Sequence, residues 1–221
     1  MVIDHGAQWI GANHHRMLDL CSTYGLDLFE THTAGKKRLD VRHHHSSYSG
    51  QIPSLPPLQL LELQLTIWRL DRLARRVPRE HPLGAIHSRK LDTQSVETWA
   101  NRHIRSRRVH ALLATAVRVV WGAELRELSF LHFLWYVNSS YGLSNLIEVR
   151  NANQHWRVKQ GTQAISIALA RELGARVRCG QPVSTIERHT DHVRVHCSDG
   201  FIDADAVIVA LPPSLQSTIR F

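Results

Sequence analysis

The 221-residue sequence predicts a mixed α/β fold in which a long helical region interrupts segments of mixed character. Apolar residues recur at helical spacing through most of residues 58–140. After about residue 151, short runs of alternating apolar and polar residues replace that pattern, which is typical of β-strands with one solvated face. The apolar run 206–210 predicts a strand buried on both faces. Hydrophobic residues make up 43% of the chain and charged residues 21%, a composition that argues against a disordered or fibrous protein.

The first fifty residues contain one clear helix. Residues 2–4 predict a short strand, and residues 13–24 predict a helix with Asn13 as its cap and Gly25 as its stop. Residues 27–30 are expected to be extended. The polar stretch 31–49 predicts either a loop or a surface hairpin.

Four helices account for most of the following ninety residues. The longest, at 58–77, is ended by Pro78. A helix at 95–103 is expected to be capped by Asp92 or Thr93, and the remaining helices are predicted at 106–121 and 129–139.

The last seventy residues predict one helix and several strands. The helix covers 162–172, and the strands lie at 176–179, 183–188, 192–197 and 206–210, with a turn at Asp199-Gly200. These changes of character divide the chain into residues 1–50, 51–150 and 151–221.

Positive charge is concentrated in the helical region. The chain has 27 Lys and Arg against 19 Asp and Glu, and residues 69–118 alone hold twelve basic against four acidic residues. Such a run is more often the solvated face of helices, and the alternative is a surface that binds acidic partners. We expect no specific nucleic-acid site.

No targeting, membrane or metal-binding pattern stands out. The longest wholly apolar stretch, 206–211, is too short to span a bilayer, and the first residues do not form a signal peptide. Three cysteines without CxxC spacing favour a reducing, cytoplasmic location. The histidine run 43–45 lacks a carboxylate or cysteine at ligand spacing, so a solvated loop is expected there rather than a metal site.

Six motifs in order resemble the flavin-containing monoamine oxidase family. Residues 4–11 (DHGAQWIG) are similar to its Asp-x-Gly-Gly-x-Trp-Ile-Gly segment, and 207–213 (VIVALPP) to its Val-Ile-x-Ala-(Ile/Leu)-Pro-Pro segment. The other four matches are 131–137 (LHFLWYV), 151–154 (NANQ), 158–163 (VKQGTQ) and 183–188 (VSTIER).

The resemblance implies part of an FAD-binding domain with a mainly helical substrate-domain insertion. It also implies an enzyme that oxidises small-molecule amines with FAD and oxygen, releasing an aldehyde, ammonia or an amine, and hydrogen peroxide. The flavin carries out the redox step, so the protein supplies an apolar slot and no particular catalytic side chain is assigned.

The resemblance places four residues along the substrate slot: Tyr136, Leu146, Ile147 and Gln154. Gln154 would fix the substrate geometry, and Ile147 would lie at the waist between entrance and reaction cavity. The alternative for the three apolar or aromatic residues is plain helix-packing core.

Six further residues are implied to lie beside the cofactor: Gly6, Gln8, Trp9, Gly11, Val183 and Pro212. The first four would run along the flavin ring or ribityl chain, and the backbone of Val183 would meet the adenine. The alternatives are a tight turn with a buried tryptophan, an ordinary strand valine and a strand-terminating proline.

Three departures from the family pattern shape a further expectation. No GxGxxG turn occurs in these residues, Ala7 replaces the second glycine of the first motif, and Gln160 replaces the first glycine of a Gly-Gly pair. We therefore expect an internal segment of the family, which on its own purifies without FAD and does not oxidise amines. The alternative is a non-catalytic relative that binds acidic partners through residues 69–118.

Overall fold

The computed structural model describes residues 2–41, 44–50 and 52–221, and these form two units, Met1–Ser166 and Ile167–Phe221. The first unit contains most of the helices. In chain order the helices are α1 His15–Thr23, α2 Pro57–Ala74, α3 Ser88–Asp92, α4 Val96–His103, α5 Arg107–Trp121, α6 Phe130–Ser139, α7 Leu143–Ile147, α8 Gln163–Leu173 and α9 Pro213–Gln216. The strands are β1 Leu28–Glu30, β2 Lys37–Val41, β3 His44–Tyr48, β4 Trp156–Val158, β5 Val183–Arg188, β6 Val193–Cys197 and β7 Gly200–Ala204.

Helices α2 to α7 surround one apolar core, which confirms the helical region predicted over residues 58–140. Phe130, Phe133 and Leu134 present one side of α6 to this core, because apolar positions three and four apart share a helix face. Val109, Leu113 and Val117 do the same on α5. Short 3₁₀ turns at Pro82–Gly84 and Gly174–Arg176 follow α2 and α8 in the chain.

Serine side chains define where three of these helices begin. The Oγ atoms of Ser95, Ser106 and Ser129 accept hydrogen bonds from the N–H groups of residues 98, 109 and 132, which would otherwise lack a partner in the first helical turn. The predicted cap of α4 at Asp92 or Thr93 is therefore wrong. The predicted Asn13 cap is also wrong, since α1 follows His14 without a side-chain cap.

Two small sheets complete the first unit. Strands β1 and β4 pair antiparallel, with Leu28 opposite Val158. Strands β2 and β3 form a hairpin, with Lys37 opposite Tyr48, so the hairpin alternative for residues 31–49 is confirmed. Arg42 and His43 lie outside the described residues, and with them part of the histidine run.

The second unit contains an antiparallel sheet in the order β5-β6-β7. Its two hairpins confirm the strands predicted at 183–188 and 192–197 and the turn at Asp199-Gly200. Across β6 and β7, the Arg194 guanidinium donates two hydrogen bonds to the Asp203 carboxylate, at 2.7 and 2.8 Å. On the outer side of β5, the Ile186 N–H donates to the Arg220 carbonyl.

Three predicted strands are wrong. Residues 2–4 and 176–179 have no strand conformation, since Arg176 ends the 3₁₀ turn, and the apolar run 206–210 is neither paired nor buried. Ile208 is 93% exposed, since among the described residues no strand hydrogen-bonds to this run. An apolar sequence forms a buried strand only where neighbouring strands complete its ladder.

The division of the chain at residues 50 and 150 stays a prediction. In the described part of the chain, no helix is both long and apolar enough to cross a membrane.

Candidate active site

A cavity of about 580 Å³ opens between the β2–β3 hairpin and helices α2, α5 and α7. Its apolar lining comes from residues at helical spacing, notably Leu60, Leu63 and Ile67 on α2. Ile147, at the end of α7, belongs to the same lining, so the predicted waist residue faces an apolar cavity. The other leucines that line it are Leu112, Leu113 and Leu143.

The α2 and α5 residues of this lining were not predicted as site residues. Their spacing identifies a helix face, but it does not distinguish a face that packs in the core from one that borders a cavity. On α2, Leu70 is fully buried in the core, whereas Leu60 and Leu63 border the cavity and are partly exposed.

Leu146 lies in the helical core, and the partly buried Tyr136 packs against it. The Tyr136 ring is 5.1 Å from the ring of Trp121, centroid to centroid, in a tilted arrangement. Leu146 is 3% exposed and packs in the core cluster of α2 to α7. Neither residue lines the 580 Å³ cavity. Their substrate-binding role stays a prediction.

Gln154 lies in the turn between α7 and β4. This turn is held by amide groups, because Asn145 Nδ2 donates to Asn153 Oδ1 at 3.3 Å and the Asn153 N–H donates to the Asn145 carbonyl at 3.1 Å. The half-buried Gln154 is therefore carried on a turn that two asparagines fix to the end of α7.

The run Gly6–Gly11 is joined to the same turn. Ile10 and Trp156 exchange both backbone hydrogen bonds, at 2.8 and 2.9 Å, and the Ala12 N–H donates to the Ala152 carbonyl at 3.2 Å. A Cβ on Gly11 would lie 3.0 Å from the Asn153 Cα, so the absence of a side chain permits this close approach. The structure thus brings the predicted flavin-side run beside the turn that carries Gln154.

Ala7 occupies the left-handed backbone region, with a φ of +50°. This is the position where the family motif has glycine, and the conformation explains the preference. Gly6 and Ala7 are exposed, Gln8 is half-buried and Trp9 is 36% exposed, so this stretch presents backbone and ring surface rather than a buried tryptophan.

His14 fixes the end of the run. Its Nδ1 accepts a hydrogen bond from the Gly11 N–H at 3.0 Å, which requires that nitrogen to be unprotonated. Partial burial of the ring lowers the pKa of His14 from its ordinary value, although the residue as a whole is exposed, and this favours the neutral ring that the bond needs.

Asp4 is a positioning residue that the motif contains but the sequence analysis did not single out. Its Oδ1 accepts hydrogen bonds from the N–H of Thr162 at 2.9 Å and from the Thr162 hydroxyl at 3.1 Å. Gly161, with a φ of +83°, leaves room for this contact, since a Cβ there would lie 2.7 Å from Val2 Cγ1. Gln160, the departure from the Gly-Gly pair, accepts from the Asp27 N–H through its side chain at 3.1 Å.

The second unit holds the two other predicted cofactor residues. Val183 is the first residue of β5, in register with Cys197, and the register shifts between Val183 and Thr185. Pro212 is exposed, and its carbonyl accepts from the Leu215 N–H at 2.8 Å at the start of α9. Their cofactor-binding roles stay predictions.

Arginines of the basic region form few ion pairs. Arg118 donates two hydrogen bonds to the Glu124 carboxylate, at 2.7 and 2.9 Å, which raises the pKa of the arginine and lowers that of the acid. Arg79 lies over the ring of Tyr141 and Arg72 over that of Trp68, at 4.2 and 5.3 Å. Binding of acidic partners through this region stays a prediction.

Within the described ranges, no three His, Cys, Asp or Glu side chains form a group that could hold a metal ion.

Comparison with known proteins places the chain in one enzyme family. Residues 1–221 match the family described as flavin containing amine oxidoreductase, and the chain belongs to it. The family resemblance and the mixed α/β class are thereby confirmed, and a flavin is the cofactor of this family.

Individual relatives support the same family assignment. The chain is 36% identical over 218 residues to the Mycobacterium tuberculosis protein AofH, a flavin-containing monoamine oxidase by name, and 27% identical over 222 residues to a flavin-containing amine oxidase of Danio rerio. These alignments cover 99% of this chain but 48% and 42% of the two relatives, so the chain spans about half their length. Cyclohexylamine oxidase from Brevibacterium oxydans superimposes with a TM-score of 0.92 at 26% identity, over 99% of this chain and 49% of the other.

The same fold recurs in a putrescine oxidase. A triple mutant of that enzyme superimposes with a TM-score of 0.93 at 24% identity, again over 99% of this chain and 49% of the other. Two solved structures thus share the arrangement of helices and strands described above.

Proposed function

We propose that the protein containing this chain oxidises small-molecule amines with FAD and oxygen. The observation that carries the proposal is the join between the Gly6–Gly11 run and the turn bearing Gln154, made by the Ile10–Trp156 backbone pair. The 580 Å³ apolar cavity that Ile147 lines belongs to the same unit. In this proposal the chain supplies both a flavin-side surface and a place for an amine.

The residues present fit the ring side of a flavin. Gly6 is exposed and a Cβ on it would meet no atom within 4 Å, so no described residue crowds this point of the backbone. Gly6, Gln8 and Trp9 would hold the ring there, and Gly11 would keep the run against the turn. When bound, FAD accepts the hydride equivalent from the amine α-carbon.

The chain's own residues would bind and orient the amine. Leucine and isoleucine side chains of the cavity would hold the alkyl part of the amine. Gln154 does not line this cavity, but its amide, on the turn that Asn145 joins to α7, would offer a donor and an acceptor to a substrate that reaches it. We assign no proton-transfer step to a side chain.

The test uses the flavin-loaded protein that contains these 221 residues. Absorbance in the flavin bands and peroxide release are measured with a panel of primary amines. Gln154→Ala should lower turnover without lowering the free energy of unfolding, whereas Asn101→Ala, which removes an exposed amide on α4, should change neither. Failure of the wild-type protein to release peroxide with any amine would refute the proposal.

We also place the protein in the cytoplasm. Cys21, Cys179 and Cys197 are free thiols, which supports a reducing compartment. Immunodetection in cytosolic and other fractions of the source cells tests this assignment.

A further inference from the structure

A groove of about 720 Å³ lies between α2 and the junction of α4 with α5. We call it the α2 groove. One wall is formed by α2 residues from Leu58 to Arg69, and the other by residues 102–106. It shares no lining residue with the 580 Å³ cavity, so it is separate from the place proposed for the amine.

The α2 wall presents a row of exposed leucines. Leu58, Leu61 and Leu65 are 82%, 57% and 42% exposed, and the row continues to Trp68, which is 49% exposed. Their spacing of three and four residues places them on one face of the helix. Contiguous exposed apolar side chains of this size mark an interaction site rather than an ordinary solvated surface.

The rest of the lining is rich in arginine. Arg69, Arg102 and Arg105 are exposed, and in the part of the chain that the structure describes none of them forms an ion pair with a carboxylate. Glu62, the acid of this lining, is already engaged: its Oε1 accepts from the Arg105 N–H at 2.6 Å and its Oε2 from the Ser106 N–H at 3.0 Å. The three guanidinium groups are therefore available to anionic groups of a ligand.

The Glu62 bonds also fix the shape of the groove. They tie the middle of α2 to the start of α5, so the two walls are held together before any ligand binds. A preformed site binds with a smaller entropic cost than one that must be ordered on binding.

We propose that the α2 groove binds an acidic amphipathic helix of a partner protein. The apolar side chains of that helix would lie on Leu58, Leu61 and Leu65, and its carboxylates would pair with the arginines of both walls. The groove follows α2 for about three turns, or about 17 Å, which is enough for anchors one, two and three turns apart. This inference does not depend on the proposed amine oxidation.

Charge and shape favour this occupant over two others. A second copy of the chain would bring the same three arginines of both copies together, and each copy carries a net charge of +8, so the charges would repel. A bilayer surface is flat, whereas the leucines and arginines line a concave region between two elements. A helix, about 10–12 Å across, fills such a groove.

The experiment measures binding of a synthetic peptide to the 221-residue chain by isothermal titration calorimetry. The peptide has about 15 residues, with leucines recurring every three and four positions and glutamate and alanine elsewhere. Two further peptides are controls: one has lysine in place of glutamate, and the other has the acidic composition in an order without a leucine row. The acidic peptide with the leucine row should bind most tightly, and its affinity should fall when NaCl is raised from about 0.05 M to about 0.5 M.

Two variants test the two walls separately. Leu61→Gln should weaken binding of the acidic peptide about tenfold, and Arg102→Gln about threefold with a smaller dependence on salt. Leu83→Gln and Arg89→Gln make the same exchanges at exposed positions outside the groove and should leave the affinity within about twofold. Circular dichroism checks that all four variants keep the fold.

Several outcomes would overturn the proposal. These are no binding of the acidic peptide, equal binding of the peptide without a leucine row, tighter binding of the lysine peptide, or equal effects of Leu61→Gln and Leu83→Gln. A dimer that Leu61→Gln dissociates, in a chain that ignores the peptide, would identify a second copy as the occupant. Binding to vesicles of phosphatidylserine and phosphatidylcholine that Leu61→Gln abolishes, again without peptide binding, would identify a lipid surface instead.

Discussion

Gly161 shows how a single position secures the start of the flavin-side run. Its φ of +83° favours glycine, and a Cβ would lie 2.7 Å from Val2 Cγ1 and 3.2 Å from Asp4 Oδ1. Gly161→Ala should therefore lower the free energy of unfolding by about 1–3 kcal/mol, because it adds backbone strain and displaces Asp4 from Thr162. Urea denaturation followed by circular dichroism measures the loss.

Gly25→Ala is the matched control for this change. Gly25 has a φ of +62°, but a Cβ there would meet nothing within 4 Å. Gly25→Ala should therefore lower the free energy of unfolding by about 1 kcal/mol, from the backbone conformation alone. Equal losses in the two variants would show that the contact with Val2 and Asp4 has no energetic consequence.

His14 makes the position of Gly11 sensitive to pH. Partial burial lowers the pKa of His14 from 6.5, so its small contribution to stability is fully present above that value and is lost as the pH falls through the folded-state pKa. Protonation of Nδ1 ends its hydrogen bond from the Gly11 N–H. The amide resonance of Gly11 in ¹⁵N-labelled protein should therefore shift with an apparent pKa below 6.5.

The variant His14→Asn should abolish this titration at Gly11, and His15→Asn, one position along, should leave it intact. A Gly11 resonance that titrates identically in both variants would contradict the assignment.

At the level of residues, the sequence motif correctly identified a position whose residue type is dictated by the backbone conformation. The glycine preference at position 7 reflects the left-handed φ of Ala7, and the motif identified that position correctly. His14 could not be predicted, because its role depends on a turn that places the ring over the Gly11 N–H. Nothing in the sequence around His14 distinguishes it from the other histidines among the sixteen in the chain.

At the level of elements, Ser129 joins two helices. Its Oγ accepts from the His132 N–H at 3.3 Å and its hydroxyl donates to Asp92 Oδ1 at 2.6 Å, so the cap of α6 is tied to the end of α3. Ser129→Ala should lower the free energy of unfolding by about 2 kcal/mol. Ser106→Ala, which removes a cap on α5 without such a link, should cost about 1 kcal/mol. Thermal and urea unfolding compare the two, and a smaller loss for Ser129→Ala would contradict the role of Asp92.

Helices were predictable and isolated strands were not, for a physical reason. A helix such as α5 satisfies its own backbone hydrogen bonds, so the periodicity of its apolar residues and the Ser106 cap are enough to locate it. Residues 206–210 have an equally clear apolar pattern, but a strand needs a hydrogen-bonding neighbour that no local pattern supplies.

For the whole molecule, the C-terminal residues expose large apolar side chains. Ile208, Leu211 and Leu215 are 93%, 41% and 50% exposed. Such surface favours self-association, so Ile208→Lys should reduce aggregation of the chain while changing the free energy of unfolding by less than about 0.5 kcal/mol. Static light scattering over a concentration series measures the first effect. Ile86→Lys, at an exposed site of the first unit, is the control and should have the smaller effect.

The sequence motifs predicted two segments of the candidate site but not the cavity. Gly11 and the Gln154 turn were identified from sequence, and the structure joins them through Ile10 and Trp156. The lining by α2 and α5 depends on how the β2–β3 hairpin lies across these helices. That arrangement is a tertiary contact between residues far apart in sequence, which periodicity does not encode.

The Ile10–Trp156 pair has a consequence for the time course of folding. Its two residues are separated by nearly the whole first unit, and the β1–β4 pairing and the Asp4–Thr162 bonds span similar distances along the chain. Helices α2 to α7 rest on contacts closer in sequence, and contacts of short separation form faster. During synthesis residues 6–11 leave the ribosome before residue 156 does. The Ile10–Trp156 pair therefore cannot form until residue 156 has emerged. Pulsed hydrogen exchange during refolding should accordingly protect the amides of α5 before the amide of Ile10.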